Sequence, residues 1–221
     1  MIFEENKNEN NNIVKFYEYF HHKSKNKEEI AIIMELCDDN LSNFIIQKKQ
    51  NFNSKEIYVL LSQLNNFFRI MIKNKLIYRT LNLKNILIKY QNEEKTKYII
   101  KLKLSEDSCH ITDLVNNSIK KDNQNIHFIA PEILKKEEYN EKYDLWSLGV
   151  IIYVLSFGQY PYIGDNKEDI LNEIKKNRNI TINTGDSNLD NLISELLKED
   201  PNERFTWEQY LNHSFLKTNV K

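Results

Sequence analysis

The apolar residues of the chain follow two rhythms, and the change from one to the other comes early. Residues 4–12 (EENKNENNN) are polar throughout and read as a frayed start. Residues 13–20 (IVKFYEYF) and 30–36 (IAIIMEL) are β-branched and aromatic and predict two strands, the second of them buried. The polar stretch 21–29 (HHKSKNKEE) predicts a turn, so the pair reads as an antiparallel hairpin. A lone hairpin is marginal in water and must pack on something.

Beyond Cys37 the period lengthens. Residues 41–47 (LSNFIIQ) predict a short helix. Ser54 reads as the N-cap of a longer one with Glu56 in its first turn, and Ile57, Leu60, Leu61, Leu64, Phe68 and Met71 recur at three- and four-residue spacing. Short apolar strands at 76–78 and 86–88 flank a polar loop, and 98–104 (YIIKLKL) predicts another strand. Residues 105–129 hold no sustained period and read as a long loop. From Pro131 onward the pattern is helical. Residues 144–157 (DLWSLGVIIYVLSF) are apolar on nearly every face, which puts that helix at the centre of a domain. Amphipathic helices are predicted at 167–176, 188–198 and 206–212, with Pro161 and Pro201 punctuating the connections. A few strands followed by mostly helices give an α+β class with a helical majority.

Composition narrows the function. The length of 221 residues suits one domain, or a large and a small lobe. With 31 basic and 32 acidic side chains, nothing draws the whole chain toward nucleic acid or an anionic membrane. The longest apolar stretch, 145–157, is too short to span a bilayer. Cys37 and Cys109 are isolated and the first ten residues are no signal peptide, so a reducing, cytoplasmic location is expected. Glycine changes the picture more. The four glycines are Gly149, Gly158, Gly164 and Gly185, so the first two thirds of the chain hold no glycine-rich phosphate loop. Neither GxGxxG nor GxxxxGK[ST] occurs anywhere.

Several short motifs nevertheless fall in a telling order. They are Ala31 to Cys37 (AIIMELC), Leu76 to Ile88 (LIYRTLNLKNILI), Ala130-Pro131-Glu132 (APE), Tyr143 to Gly149 (YDLWSLG), Asp200 to Phe205 (DPNERF) and His213 to Leu216 (HSFL). In this order and spacing the chain resembles a eukaryotic protein kinase domain from about Asn12 to Leu216. Its later helices are similar to calcium/calmodulin-type kinases, and residues 204–208 (RFTWE) to the autophagy-initiating kinase group. The resemblance implies a protein-kinase-like fold: residues 1–37 as the remnant of a small lobe and hinge, and 38–221 as the large helical lobe. Met34 takes the gatekeeper position, and Glu35 and Cys37 lie at the nucleotide hinge. Asn12-Ile13-Val14 resembles the NIV that follows the helix of the small lobe. The glycine-rich loop, the phosphate-holding lysine and its glutamate partner would then all precede Met1. Glu4, Glu5 and Glu9 are nearby acids that read as a solvated end.

The catalytic loop departs from the family. The aspartate that accepts the substrate hydroxyl proton is replaced by Thr80, whose hydroxyl is not basic near neutral pH. The lysine two residues on, which steadies the transferred phosphate, is replaced by Asn82. The metal-binding asparagine is kept as Asn85, which also reads as a turn former. Tyr78 replaces the loop histidine, and Arg79 is kept. KLSEDS (103–108) is similar to KLSDFG, so either Glu106 or, on a one-residue slip, Asp107 would take the magnesium position, with Ser108 in place of the glycine. The resemblance implies ATP and magnesium as ligands; these replacements imply weak affinity or none. Glu132 and Arg204 are expected to pair, Asp144 to cap the loop backbone, and Trp146, Pro131 and Pro161 to pack the helical lobe.

Other constellations are bland. His21-His22 lacks a partner at metal-ligand spacing, His127 reads as packing, Cys37 as a small core residue, and Lys175 to Arg178 as a basic helix end. Three readings stay open: a pseudokinase that binds a protein partner through its hairpin, a weakly active serine/threonine kinase, and a fragment of a longer kinase.

Overall fold

The structure, a computed structural model of the chain, describes residues 12–23, 28–103, 109–110, 123–137, 140–177 and 180–217. Its organising element is α4 (Tyr143–Phe157). Every residue from Tyr143 to Leu155 is buried, as a helix apolar all round requires. It packs most extensively on α6 (Ser187–Leu196) and also meets α2 (Ser54–Lys73). Gly149 lets α6 come this close, because a Cβ there would lie 2.8 Å from the Leu196 Cβ. Gly158 ends α4 at φ 70, a left-handed conformation that suits glycine.

Helix α2 buries the predicted stripe of Ile57, Leu60, Leu61, Leu64, Phe68 and Met71, joined by Phe67 and Asn65. Its cap is one residue earlier than predicted. The Asn53 side chain accepts from Glu56 N and the Glu56 carboxylate accepts from Asn53 N, closing a capping box, while Ser54 is already helical. α5 (Lys167–Lys176) matches its predicted span, and α1 (Leu41–Lys48) and α7 (Trp207–Leu211) lie within a residue of theirs. Two short helices fall within the region read as helical from Pro131 onward without bounds of their own, α3 (Pro131–Lys135) and α8 (Ser214–Lys217). The 105–129 region contains, among its described residues, the strand β7 (Cys109–His110) and a 3-10 helix (Asn123–Phe128).

Among the described residues the strands form three small antiparallel sheets. β3 (Asp39–Asn40), β5 (Ile86–Tyr90) and β6 (Tyr98–Leu102) make the largest, in the order β3-β5-β6. β4 (Leu76–Ile77) pairs with β7. β1 (Phe16–Lys23) and β2 (Glu28–Met34) form the expected hairpin. Its burial is the main correction. Every residue of β1 is exposed, and β2 leaves Ile30 65%, Ile32 47% and Ile33 44% exposed. Leu36, read as the end of a buried strand, is 87% exposed. The apolar run is real, but among the described residues nothing covers either face. Helices dominate and the sheets are small, so the architecture is α+β, as expected.

Candidate active-site loop

The loop between β4 and β5 is fixed from beneath through its main chain. The Asp144 carboxylate on α4 accepts from Tyr78 N at 2.7 Å and from Arg79 N at 2.9 Å. Asp144 is buried; that burial pushes its carboxyl up to about 6, against the pull of the two N–H groups and the Arg79 charge. Arg79 sits at φ 67, an uncommon conformation for a residue with a side chain, and its buried place beside Asp144 holds it there. The Tyr78 ring is fully buried against Phe67, and its hydroxyl donates to Lys103 O.

The rest of the loop is closed by its own amides. Asn82 Nδ2 and Asn85 Nδ2 donate to Thr80 O at 2.9 and 2.7 Å. Asn82 Oδ1 accepts from Lys84 N and Asn85 N. Asn82 is buried. The structure therefore brings Thr80, Asn82 and Asn85 together, with both asparagine amides spent on the loop backbone. Neither Thr80 nor Asn82 carries an ionisable group. Burial pushes the Tyr78 phenol far up, which removes it as a proton acceptor near neutral pH.

A second set of predicted residues forms a ring behind the loop. Arg204 clamps Glu132 with two parallel bonds, Nη1–Oε1 at 2.9 Å and Nη2–Oε2 at 3.0 Å, both side chains being essentially inaccessible. Arg204 also donates to the carbonyls of Lys142 and Lys198 and lies over the Trp146 ring. Ser147 Oγ donates to Phe128 O, and His127 stacks flat on Tyr160. These contacts satisfy charge and shape in the helical body.

The hinge residues lie elsewhere. Glu35, expected beside a nucleotide, is buried with its carboxylate on Lys89 and Lys101. Burial and the Glu35 charge push the half-buried Cys37 thiol up. Lys15, Lys89 and Lys101 are the members of this cluster that sequence reading missed. A lysine inside the buried strand pattern of β6 was the available signal. Glu106, Asp107 and Ser108, and likewise Glu4, Glu5, Glu9, Tyr139 and Arg178, lie outside the described residues. Among the described residues no group of three or more His, Cys, Asp or Glu side chains could hold a metal ion, and no helix is long and apolar enough to cross a membrane.

Comparison with known proteins agrees with this geometry. The family model described as the protein kinase domain matches residues 2–216. The chain is 28% identical over 218 residues to serine/threonine-protein kinase atg1 of Dictyostelium discoideum, covering 94% of this chain and 30% of that protein. It is 30% identical over 212 residues to calcium-dependent protein kinase 5 of Plasmodium berghei, covering 92% and 35%. The chain thus spans about a third of the length of these relatives. Among solved structures, the twitchin kinase region from C. elegans superposes with a TM-score of 0.77 at 23% identity, over 95% of this chain and 36% of that one.

Proposed function

The chain belongs to the protein kinase family, and we propose that it serves there as a pseudokinase, a kinase-shaped module that binds a protein partner and does not transfer phosphate. One observation carries this reading. The positions of the proton-accepting aspartate and the phosphate-steadying lysine hold Thr80 and Asn82, inside a loop whose Asn82 and Asn85 amides are both turned onto Thr80 O. Phosphoryl transfer is positioning plus electrostatics. It needs a carboxylate to orient the attacking hydroxyl and a cation where charge develops on the phosphate. The loop supplies neither at these positions.

A magnesium–ATP complex is what the family would bring to this place. The described loop residues do not fit catalysis on it: at 80 and 82 the donor set is a hydroxyl and an amide, without a carboxylate or an ammonium group. The hairpin offers the surface for a partner. Tyr19, His21, Ile30 and Ile32 share one of its faces, and Phe20, Ala31 and Ile33 the other. Exposed apolar area on this scale marks an interaction site.

The deciding assay is transfer of γ-phosphate from labelled ATP with magnesium, on the chain itself and on a generic serine/threonine peptide. The expected result is no transfer above the protein-free background. Magnesium-dependent transfer that vanishes in Asn85→Ala would overturn the reading in favour of a degenerate serine/threonine kinase, the activity for which the relatives above are named.

A further inference from the structure

One buried charged cluster outside the loop has no part in the proposal above. Glu35 follows β2 directly and is 8% exposed. Its Oε1 lies 2.6 Å from Lys89 Nζ on β5, and its Oε2 lies 2.9 Å from Lys101 Nζ on β6. Oε2 also accepts from Lys15 N at 3.2 Å, and Glu35 N donates to Lys15 O at 2.7 Å. Lys101 is 3% exposed and reaches Ile13 O at 3.4 Å. One carboxylate thus joins the residue leading into the hairpin, the residue leading out of it, and both long strands of the β3-β5-β6 sheet.

The hairpin has little else to hold its angle. Its described residues are exposed along both strands, apart from half-buried Met34. On the incoming side, Val14 N donates to Leu102 O and Leu102 N to Asn12 O, and Asn66 Nδ2 donates to Asn12 Oδ1. On the outgoing side, Asp38 N donates to Ile88 O, and Tyr90 N to Asp38 Oδ2. Between these two attachments lies the Glu35 cluster. Burial works to raise the Glu35 carboxyl, but hydrogen bonds from Lys89, Lys101 and Lys15 N overcome it and hold the group at about 2, so it is ionised at every physiological pH. A buried ion pair adds little stability over a well-packed apolar pair, whereas its geometry is demanding. Its worth here is positional.

We propose that Glu35 is an interlobe lock, which fixes the hairpin at one angle to the helical body by bridging Lys15, Lys89 and Lys101. The lock does not depend on whether the chain transfers phosphate. It turns a joint between two bodies into a rigid bracket, so the hairpin is presented to its surroundings in a single orientation.

Pulsed electron spin resonance tests this on the full chain. Cys37→Ser and Cys109→Ser clear the background, and labels replace the exposed Glu18 on β1 and Lys55 on α2. The expected wild-type result is one narrow distance distribution. Glu35→Gln/Lys101→Met removes the two buried charges, leaves the part-exposed Lys89 to solvent, and is expected to broaden the distribution at least twofold. If that variant fails to fold, Glu35→Gln alone decides, since its amide oxygen can still accept from Lys15 N. A folded variant as narrow as wild type, or a wild type already broad, overturns the lock.

Discussion

Helix α4 and the β1–β2 hairpin are both written in nearly unbroken apolar residues, and they meet opposite fates. Leu145, Leu148, Val150, Ile151 and Ile152 on α4 are fully buried, whereas Phe16, Tyr17, Tyr19 and Ile30 on the hairpin are more than half exposed. The sequence pattern states what a segment requires; it does not state who supplies it. α4 is covered by elements of its own chain, α2 and α6 among them. The difference teaches that apolar density alone cannot separate a covered core from an exposed surface, and among the described residues the hairpin is the apolar segment left uncovered.

The comparison breaks hardest at the Glu132–Arg204 pair beside α4. Glu132→Gln or Arg204→Met leaves one buried charge unpaired and should cost about 3–5 kcal/mol, read from urea unfolding. An equal loss on replacing both by Met would show that the pair itself is not what matters.

Next comes the direct contrast of one residue type in two settings. Ile151→Ala on α4 should cost about 2–5 kcal/mol, and Ile32→Thr on β2 about 0.5 kcal/mol or less, because an exposed site leaves no cavity. Equal costs would mean that the hairpin is already covered.

Glu35 sharpens the comparison at the joint between the two regions. Its carboxyl is held at about 2 against an ordinary 4.5, so it contributes stability that is fully present above pH 4.5 and is lost as pH falls toward 2. That contribution is on the order of 3 kcal/mol at most. Asp144 runs the other way: raised to about 6 from 3.8, it favours the fold below pH 3.8 and loses that contribution as pH rises through 6. The difference between wild-type and Glu35→Gln stability across pH 2 to 5 isolates Glu35 and should narrow toward acid; a flat difference would refute the ionised pairing.

The smallest effect is local. Asn53→Ala removes the cap of α2 and should cost about 1 kcal/mol, whereas Ser54→Ala should cost a few tenths. The reverse order would return the cap to Ser54.

These cases mark what was legible in the sequence. Helices with a regular apolar stripe, such as Lys167–Lys176, could be bounded from periodicity alone, because 3.6-residue spacing and burial encode the same thing. α3 and α8 are too short to show a period. The Asn53 cap was missed because Ser and Asn compete for the same role, and only the Glu56 carboxylate returning to Asn53 N distinguishes them. At the loop, the residue replacements at Thr80 and Asn82 could be read directly. Their amide closure onto Thr80 O could not, since it depends on backbone curvature. The Lys15–Glu35–Lys101 cluster was hidden because its members lie up to 86 residues apart, and the lysine inside β6 signals burial without naming its partner.

The Asp144 anchor has one more consequence. Its two bonds go to the amides of Tyr78 and Arg79, and so read no side chain at position 80. The Asn82 and Asn85 amides likewise hold Thr80 by its carbonyl oxygen. Likeness of shape therefore places this chain among protein kinases and reads nothing of the side chains that stand at Thr80 and Asn82.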